Sequence, residues 1–349
     1  MLIFALNCGS SSLKSAAIDT AGRSRLADVR LEELGMADLP SAVGRVLQQL
    51  RDTTGDRAPE AIVHRIVHGG ERFLQATRID DTVLAEIAQL SHLAPLHNPP
   101  ALAAVRQARK AYPQAPHVAV FDTAFHATLP AHAREYALPR DVRDRFGIRR
   151  YGFHGISHAH VMHAVARHLD QAPEKLRIVS CHLGNGASVA AIEHGRSVDT
   201  SMGMTPLEGL VMGTRAGDLD PGIVLDLIQS GSFDGKKVDA LLNRQSGMVG
   251  LTGTNDMREI ERRAASGDEE AKSALALYAY RVRKYIGAYA AAMGGVDAIG
   301  FTGGVGENSA SIRQACVERL EFLGAPIVVV RADEELAMAV EAAALLESG

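Results

Sequence analysis

A pattern used twice constrains this chain more than any other feature. NCGSSSLKSAAID runs over 7–19 and HLGNGASVAAIE over 182–193. Each sets a small-residue turn between two apolar stretches, and each closes on Ala-Ala-Ile followed by an acid. Apolar stretches flanking such a turn read as a β-hairpin. A period this long is no solenoid. It implies two related domains, each opening on a hairpin whose turn can approach a phosphate. Chance likeness between short apolar segments is the competing reading. With 349 residues, 46% of them apolar, the chain is longer than one average domain and supports a large core.

Strand and helix patterns alternate along the rest of the chain. Strands are expected at 2–6, 13–19, 61–67, 117–121, 176–183, 188–193, 298–302 and 327–330. Helical periodicity marks 39–50, 82–93 and 333–346. The Ala-rich run 275–295 carries Arg281, Arg283 and Lys284 and reads as a buried amphipathic helix, too polar to span a bilayer. The apolar opening MLIFALNC lacks a basic leader and reads as a first strand. The whole is mixed α/β.

A formal net charge of −4 points to neither nucleic acid nor an anionic membrane. Cationic side chains that bind phosphate therefore act locally. Cys8, Cys181 and Cys316 form no CxxC pair and are odd in number, which fits buried thiols in a reduced, cytoplasmic setting.

Phosphate binding needs exposed backbone N–H groups, and glycine lets the backbone come close. Three turns qualify, at 7–12, 184–188 and 303–308, each behind an apolar strand. No GxxxxGK[ST] is present; GSFDGKK at 231–237 has the wrong spacing and no strand before it. Arg65 lies inside the apolar run IVHRIVHGG, where a charge must be paired or aimed into a site. Arg215 lies between Gly213 and Gly217 in MGTRAGDLDPG. A guanidinium grips carboxylate or phosphate with two parallel hydrogen bonds; structural ion pairs are the alternative for both. Asp122 ends the strand HVAVFD, where open α/β sheets bind ligands, and could hold a metal through water or orient a nucleophile. Capping the following loop is its alternative role. The histidines of YGFHGISHAHVMH lack an HExxH pattern, and Gly155 suits a regular helix start poorly. His154 is thus taken as a single active-site histidine able to meet phosphoryl charge.

NCGSSSLK, HRIVHGGERF, LAPLHNPP, FDTAFHATLP, YGFHGISH, HLGNGAS, DTSMGMTPLEGLVMGTRAGDLDPG and FTGGVGENS follow one another over nearly the whole chain. Together they resemble the acetate kinase family. The resemblance implies an α/β fold of two duplicated ribonuclease-H-like (actin-like ATPase) domains with an interdomain nucleotide cleft. Residues 1–123 plus 333–349 form the N-terminal domain, completed by the C-terminal helix, and 124–332 the second, nucleotide-binding and dimerising one. It also implies reversible, direct in-line phosphoryl transfer between ATP and acetate, giving ADP and acetyl phosphate, with Mg²⁺ or Mn²⁺, in a cytoplasmic homodimer. By the same resemblance Asn7 and the 10–12 turn, with Ser12 and Lys14, face the transferring phosphate. Arg65 and Arg215 clamp carboxylate and phosphoryl group, and His154 with Arg215 stabilises the transition state. Asp122 and Glu334, with Asn7, organise the metal. His182, Asn185 and Gly186 meet nucleotide phosphates. Asp256, Met257, Arg258, Gly303, Gly304, Gly306, Glu307 and Asn308 border the adenosine, and Val67, Leu96, Phe153 and Pro206 form the acyl pocket.

Against the family's pattern the chain is short between Asp19 and Ala61, where part of an outer sheet looks trimmed, and between Leu323 and Ile327. Ile156 stands where the family often has threonine. Two rivals remain: a kinase for propionate or another short carboxylate, and an actin-like ATPase module without kinase activity. One methylene in an apolar pocket is worth only ~1–3 kcal/mol, so sequence does not separate acetate from propionate.

Overall fold

The structure, a computed structural model, describes residues 1–9, 12–32 and 34–348. The chain forms two compact units, one of Met1–Ala127, Gly155–His160 and Asp333–Gly349, the other of Thr128–His154 and Val161–Ala332.

The first unit is built on six strands: β1 Leu2–Cys8, β2 Leu13–Asp19, β3 Ser24–Leu31, β4 Ala61–Ile66, β5 Thr77–Arg78 and β6 His117–Phe121. Their order is β3-β2-β1-β4-β6-β5. β1, β2 and β3 are antiparallel, β4 and β6 run parallel to β1, and β5 closes the far edge antiparallel. All seven residues of β1 are buried, as a strand covered on both faces requires. Leu2, Phe4, Leu6 and Cys8 point to one cluster with the helix Leu39–Thr53, while Ile3 and Ala5 point to another with Met338, Ala339 and Ala342 of the C-terminal helix Glu334–Ser348. The helix Leu39–Thr53 buries Leu39, Ala42, Val43, Val46, Leu47 and Leu50, the stripe of a 3.6-residue period.

The second unit carries β7 Arg177–Leu183, β8 Ala187–Glu193, β9 Arg196–Thr200, β10 Ala298–Thr302 and β11 Ile327–Val329, in the order β11-β10-β7-β8-β9. β7, β8 and β9 are antiparallel, and β10 and β11 continue parallel to β7. From β7 outward this repeats the first sheet strand for strand. The repeat reaches down to irregularities: each second hairpin shifts register within the Ala-Ile of its Ala-Ala-Ile, at Ala17/Ile18 and at Ala191/Ile192. The two echoed segments are thus the β1–β2 and β7–β8 hairpins. The Ala-rich run lies in the helix Glu269–Ala292, which buries Tyr278, Val282, Ile286 and Tyr289.

In the stretch read as short against the family, β3 pairs with β2 from Leu31 back to Ser24. Two expectations are corrected. The helix expected over 82–93 ends at Gln89 and tightens into a 3₁₀ turn at Leu90–His92. Gly155, judged a poor helix start, is the first residue of the helix Gly155–His168. Its N–H donates to the Asp122 carbonyl at 2.9 Å, and a Cβ there would fall 2.2 Å from that oxygen. Close approach of backbone to backbone explains the glycine.

Candidate functional site

In the first unit, Asn7, Arg65 and Asp122 stand at the carboxyl ends of three adjacent parallel strands. Leu6 pairs with His64 and Ile66 with Phe121, so the register itself brings the three together. Arg65 Nε donates to Asp122 Oδ1 at 2.8 Å and Nη2 to Oδ2 at 2.6 Å, a bidentate pair. Arg65 Nη1 donates to Asn7 Oδ1 at 3.0 Å and lies 3.8 Å from Glu334 Oε2. Asn7 Nδ2 donates to Glu334 Oε2 at 2.9 Å and to Glu335 Oε1 at 3.1 Å. Asn7, Asp122 and Glu335 are buried. Burial works against the charge of Arg65, but Asp122, Glu334 and Glu335 outweigh it and raise the guanidinium pKa above its ordinary value. The ion-paired reading of Arg65 is the one its surroundings show: its charge is satisfied, and it holds Asn7 and Asp122 in place.

The hairpin turn beside Asn7 closes through Gly9 N–H to the Ser12 carbonyl at 2.8 Å. Lys14 sits opposite Asn7 on β2, half-buried. Ser10 and Ser11 of the expected phosphate-facing turn lie outside the described residues. Val67 is buried, whereas Leu96 is half exposed at 49%.

In the second unit His154 takes a left-handed backbone, φ 57°, immediately before the helix Gly155–His168. Such a conformation in a non-glycine residue needs surrounding support. His154 Nδ1 is 2.9 Å from Ser188 Oγ, and its ring stacks on His182 with centroids 4.3 Å apart. A Cβ on Gly186 would come 3.3 Å from the His154 ring and 3.7 Å from Arg215 Nη1. With glycine at 186 the β7–β8 turn passes close to both side chains without crowding them. Arg215 Nη1 donates to the Pro206 carbonyl at 3.1 Å and meets Met212 Sδ at 3.5 Å. Among the described residues no carboxylate pairs with it. Burial alone lowers its pKa.

Around this centre Gly213 N–H donates to the Asn185 carbonyl at 2.9 Å, and Asn255 Nδ2 to Asn185 Oδ1 at 2.9 Å. Gly303, at φ 82°, packs on Leu183 of β7 so closely that a Cβ would lie 2.6 Å from its carbonyl oxygen. The short helix Gly303–Asn308 follows β10, with Asn308 Nδ2 donating to the Gly304 carbonyl at 2.8 Å and the Ala332 N–H to Glu307 Oε1 at 2.9 Å. Gly306 is buried. Thus Gly303 and Gly304 stand beside the Gly184–Gly186 turn. Asp256 caps the helix Met257–Ala265 and takes a fork of hydrogen bonds from exposed Arg258 at 3.0 and 2.9 Å. Phe153 is a fully buried core side chain, and Pro206 is half-buried.

Sequence reasoning missed Arg25, Glu335, Asp333 and Ser188. Glu335 was in reach, beside Glu334 in ADEEL. Ser188 was in reach too, closing the turn that holds Asn185 and Gly186. Arg25 sits on β3, a strand the hairpin signal did not extend to, and its orientation depends on a bulge that no residue pattern announces.

Comparison with known proteins gives this arrangement a family. The acetokinase family model matches residues 27–343. An acetate kinase of Streptomyces coelicolor is 49% identical over 347 residues, covering 92% of this chain and 85% of that protein. The crystal structure of Porphyromonas gingivalis acetate kinase superposes with a TM-score of 0.90 at 37% identity, covering 99% of both chains. A propionate kinase structure from Francisella tularensis superposes at 0.89 with 36% identity, covering 97% of this chain and 98% of that one. Strand-end acids and arginine in one duplicated sheet, glycine turns and cations in the other, and these matches agree: the chain belongs to the acetokinase family, with its two-domain actin-like ATPase fold.

Proposed function

We infer that this protein is an acetate kinase, transferring a phosphoryl group between ATP and acetate. Arg215 carries the reading: a half-buried guanidinium beside His154 whose charge no carboxylate meets among the described residues. Such a group is costly unless an anion completes it. Acetate is already anionic and needs no general base. The obstacle is repulsion between two anions, so the chemistry reduces to positioning and charge neutralisation. Arg215 and His154 meet charge on the transferring group. Arg65 orders Asn7 and Asp122. His182, Asn185 and Gly186 meet nucleotide phosphates, and Asp256, Met257, Arg258, Gly303, Gly304 and the 306–308 turn border the adenosine. Val67, Leu96, Phe153 and Pro206 are assigned to the acyl group.

Asn7, Asp122 and Glu334 offer only oxygen ligands, the set a hard divalent cation prefers. Five carboxylates (Asp28, Asp122, Asp333, Glu334 and Glu335) are linked there to two guanidiniums, Arg25 and Arg65, leaving negative charge for a cation to balance. The residues therefore fit Mg²⁺, or Mn²⁺ in its place, held by Asn7, Asp122 and Glu334. Bound there, the ion would offset phosphate charge. We assign 1–123 plus 333–349 and 124–332 to the two actin-like domains, and expect a cytoplasmic homodimer, as the family resemblance implies. Among the described residues no helix is long and apolar enough to cross a membrane.

The test is to mix the protein with Mg-ATP, acetate and hydroxylamine. Acetohydroxamate is expected; its absence with every short carboxylate overturns the reading. The likeness to the Francisella propionate kinase favours one second reading. Comparing kcat/KM for acetate, propionate and butyrate decides it, with acetate expected to lead by about tenfold or more.

A further inference from the structure

We propose that Arg25 is a positioning residue that fixes Glu334 by clamping the residues on either side of it. This rests on the role given to Glu334 above. Asp333 caps the C-terminal helix, accepting from the Leu336 N–H at 3.0 Å, and its carboxylate also takes a hydrogen bond from Arg25 Nη2. The same Nη2 reaches Glu335 Oε2 at 3.1 Å, while Glu335 Oε1 receives Asn7 Nδ2 at 3.1 Å. Nη1 pairs with Asp28. Glu334, between two held neighbours, is left with its carboxylate beside Asn7 and Arg65.

The bulge in β3 makes this possible. Ala27, Val29 and Leu31 face the cluster under the helix Leu39–Thr53. Strict alternation would send residue 25 to that same apolar face. Instead Ala17 pairs with Ala27 and Ile18 with Arg25, so Leu26 is the extra residue and parity inverts. Arg25 then shares a face with Ile18, which packs with Met338 and Ala339 of the C-terminal helix. Re-aiming a side chain is a known use of bulges beside sites. The second sheet has the same bulge, and there the corresponding residue opposite Ile192 is Ser197, buried and uncharged. The bulge belongs to the duplicated fold; the arginine belongs to the first unit alone.

Residues that orient metal-site groups typically cost 10–100-fold in metal affinity or activity when changed. Binding of Mn²⁺ in the presence of ADP, followed by the loss of the free Mn²⁺ EPR signal, reads the claim without turnover. Arg25→Gln is expected to weaken it about tenfold and to raise half-saturating Mg²⁺ in the kinase assay in parallel, with KM for acetate within about twofold. Arg25→Lys keeps the charge but loses the planar fork that reaches Asp28 through Nη1 while Nη2 holds Asp333 and Glu335, so about a threefold shift is expected. If Arg25→Gln does not fold, Arg25→Lys is read in its place. Mn²⁺ binding and Mg²⁺ dependence within twofold of wild type, with only Tm lowered, would mean a purely structural role and overturn the proposal. Should the wild type make no acetyl phosphate, the proposed function falls, while the Mn²⁺ titration still decides what Arg25 does.

Discussion

Arg65 leaves β4 with its charge already met by Asp122, Asn7 and Glu334, and its pKa is raised. Arg215 leaves a glycine-bounded loop of the other unit with a carbonyl and a thioether for company, and its pKa is lowered. Residue type and expected ligand are the same; the surroundings shift the two pKa values in opposite directions. The first sheet spends its arginine on ordering acids and an amide at strand ends, a network that needs no anion to be complete. The second brings Arg215 and His154 together around glycine turns, and among the described residues no carboxylate answers the charge of Arg215.

In the proposed reaction both arginines are needed, so activity is where they look alike. Arg65→Ala and Arg215→Ala are each expected to lower kcat by ~10³ or more, by analogy with other phosphoryl-transfer sites. Near-normal hydroxamate formation in both variants would sink the assignment. Stability is where they part. Removing Arg65 strands Asp122 and its neighbours without a counter-charge, and breaking a buried pair in this way costs about 3–5 kcal/mol. Removing Arg215 strands no carboxylate and relieves a desolvated charge, so its cost should stay within about 1 kcal/mol. Urea denaturation of the two variants measures the difference; equal losses would erase the contrast.

How much of this was legible in the sequence follows the same division. Strands β1, β2, β4, β6, β7, β8 and β10 were readable because they are short apolar runs ended by glycine or acid. The duplication was readable because the hairpin turns kept their small residues. Arg65 stood out as a charge inside an apolar strand. What it touches did not, because Glu334 and Glu335 lie 327 and 328 positions from Asn7. Arg215 gave only its glycines as a signal, and its lack of an acid partner among the described residues is a fact of packing. Ile156, which stands where the family often has threonine, is buried in the cluster that also holds Met338, Ala339 and Ala342, a setting that suits an apolar side chain.

The first unit also holds neutral histidines, which gives the comparison a pH axis. His117 Nε2 lies 3.2 Å from the Tyr112 carbonyl and so carries its proton there, leaving Nδ1 to accept from His64 Nε2 at 3.0 Å. Burial holds His64 well below its ordinary pKa, with His117 adding to the effect, and lowers His117 as well. His68 is brought down to about 4 by burial and by His92. Unfolded, each would take up a proton near pH 6.5. Between about 6.5 and 4 the unfolded chain therefore binds more protons, and stability falls as pH falls through that window, by up to about 3 kcal/mol for His68. The urea midpoint should drop from pH 7.5 to pH 5. His68→Gln should flatten that drop, and proteolysis at pH 5 should cut first within Met1–Ala127. A pH-independent midpoint, or first cuts within 161–332, would break the assignment of acid sensitivity to the first unit.

Two glycines give the finest version of the contrast. Gly155→Ala sets a methyl 2.2 Å from the Asp122 carbonyl oxygen and 2.9 Å from Phe125 Cβ, so backbone must move. Overpacking of this kind costs about 1–3 kcal/mol, and it shifts the strand end that holds Asp122, so Tm and turnover should fall together. Gly186→Ala meets no backbone. Its methyl falls 3.3 Å from the His154 ring and 3.7 Å from Arg215 Nη1. The turn can hold it, but the approach to both side chains narrows just where the transferring group is proposed to sit. Misplacement by a fraction of an ångström lowers rate without unfolding anything, so about a tenfold loss in kcat/KM for ATP is expected with Tm unchanged. The two outcomes assign different work to the two glycines, close backbone packing in the first unit and open access in the second. Equal Tm losses would show that the second turn is as much a packing joint as the first, and that the absence of a carboxylate partner for Arg215 cannot be credited to a site kept open for an anion.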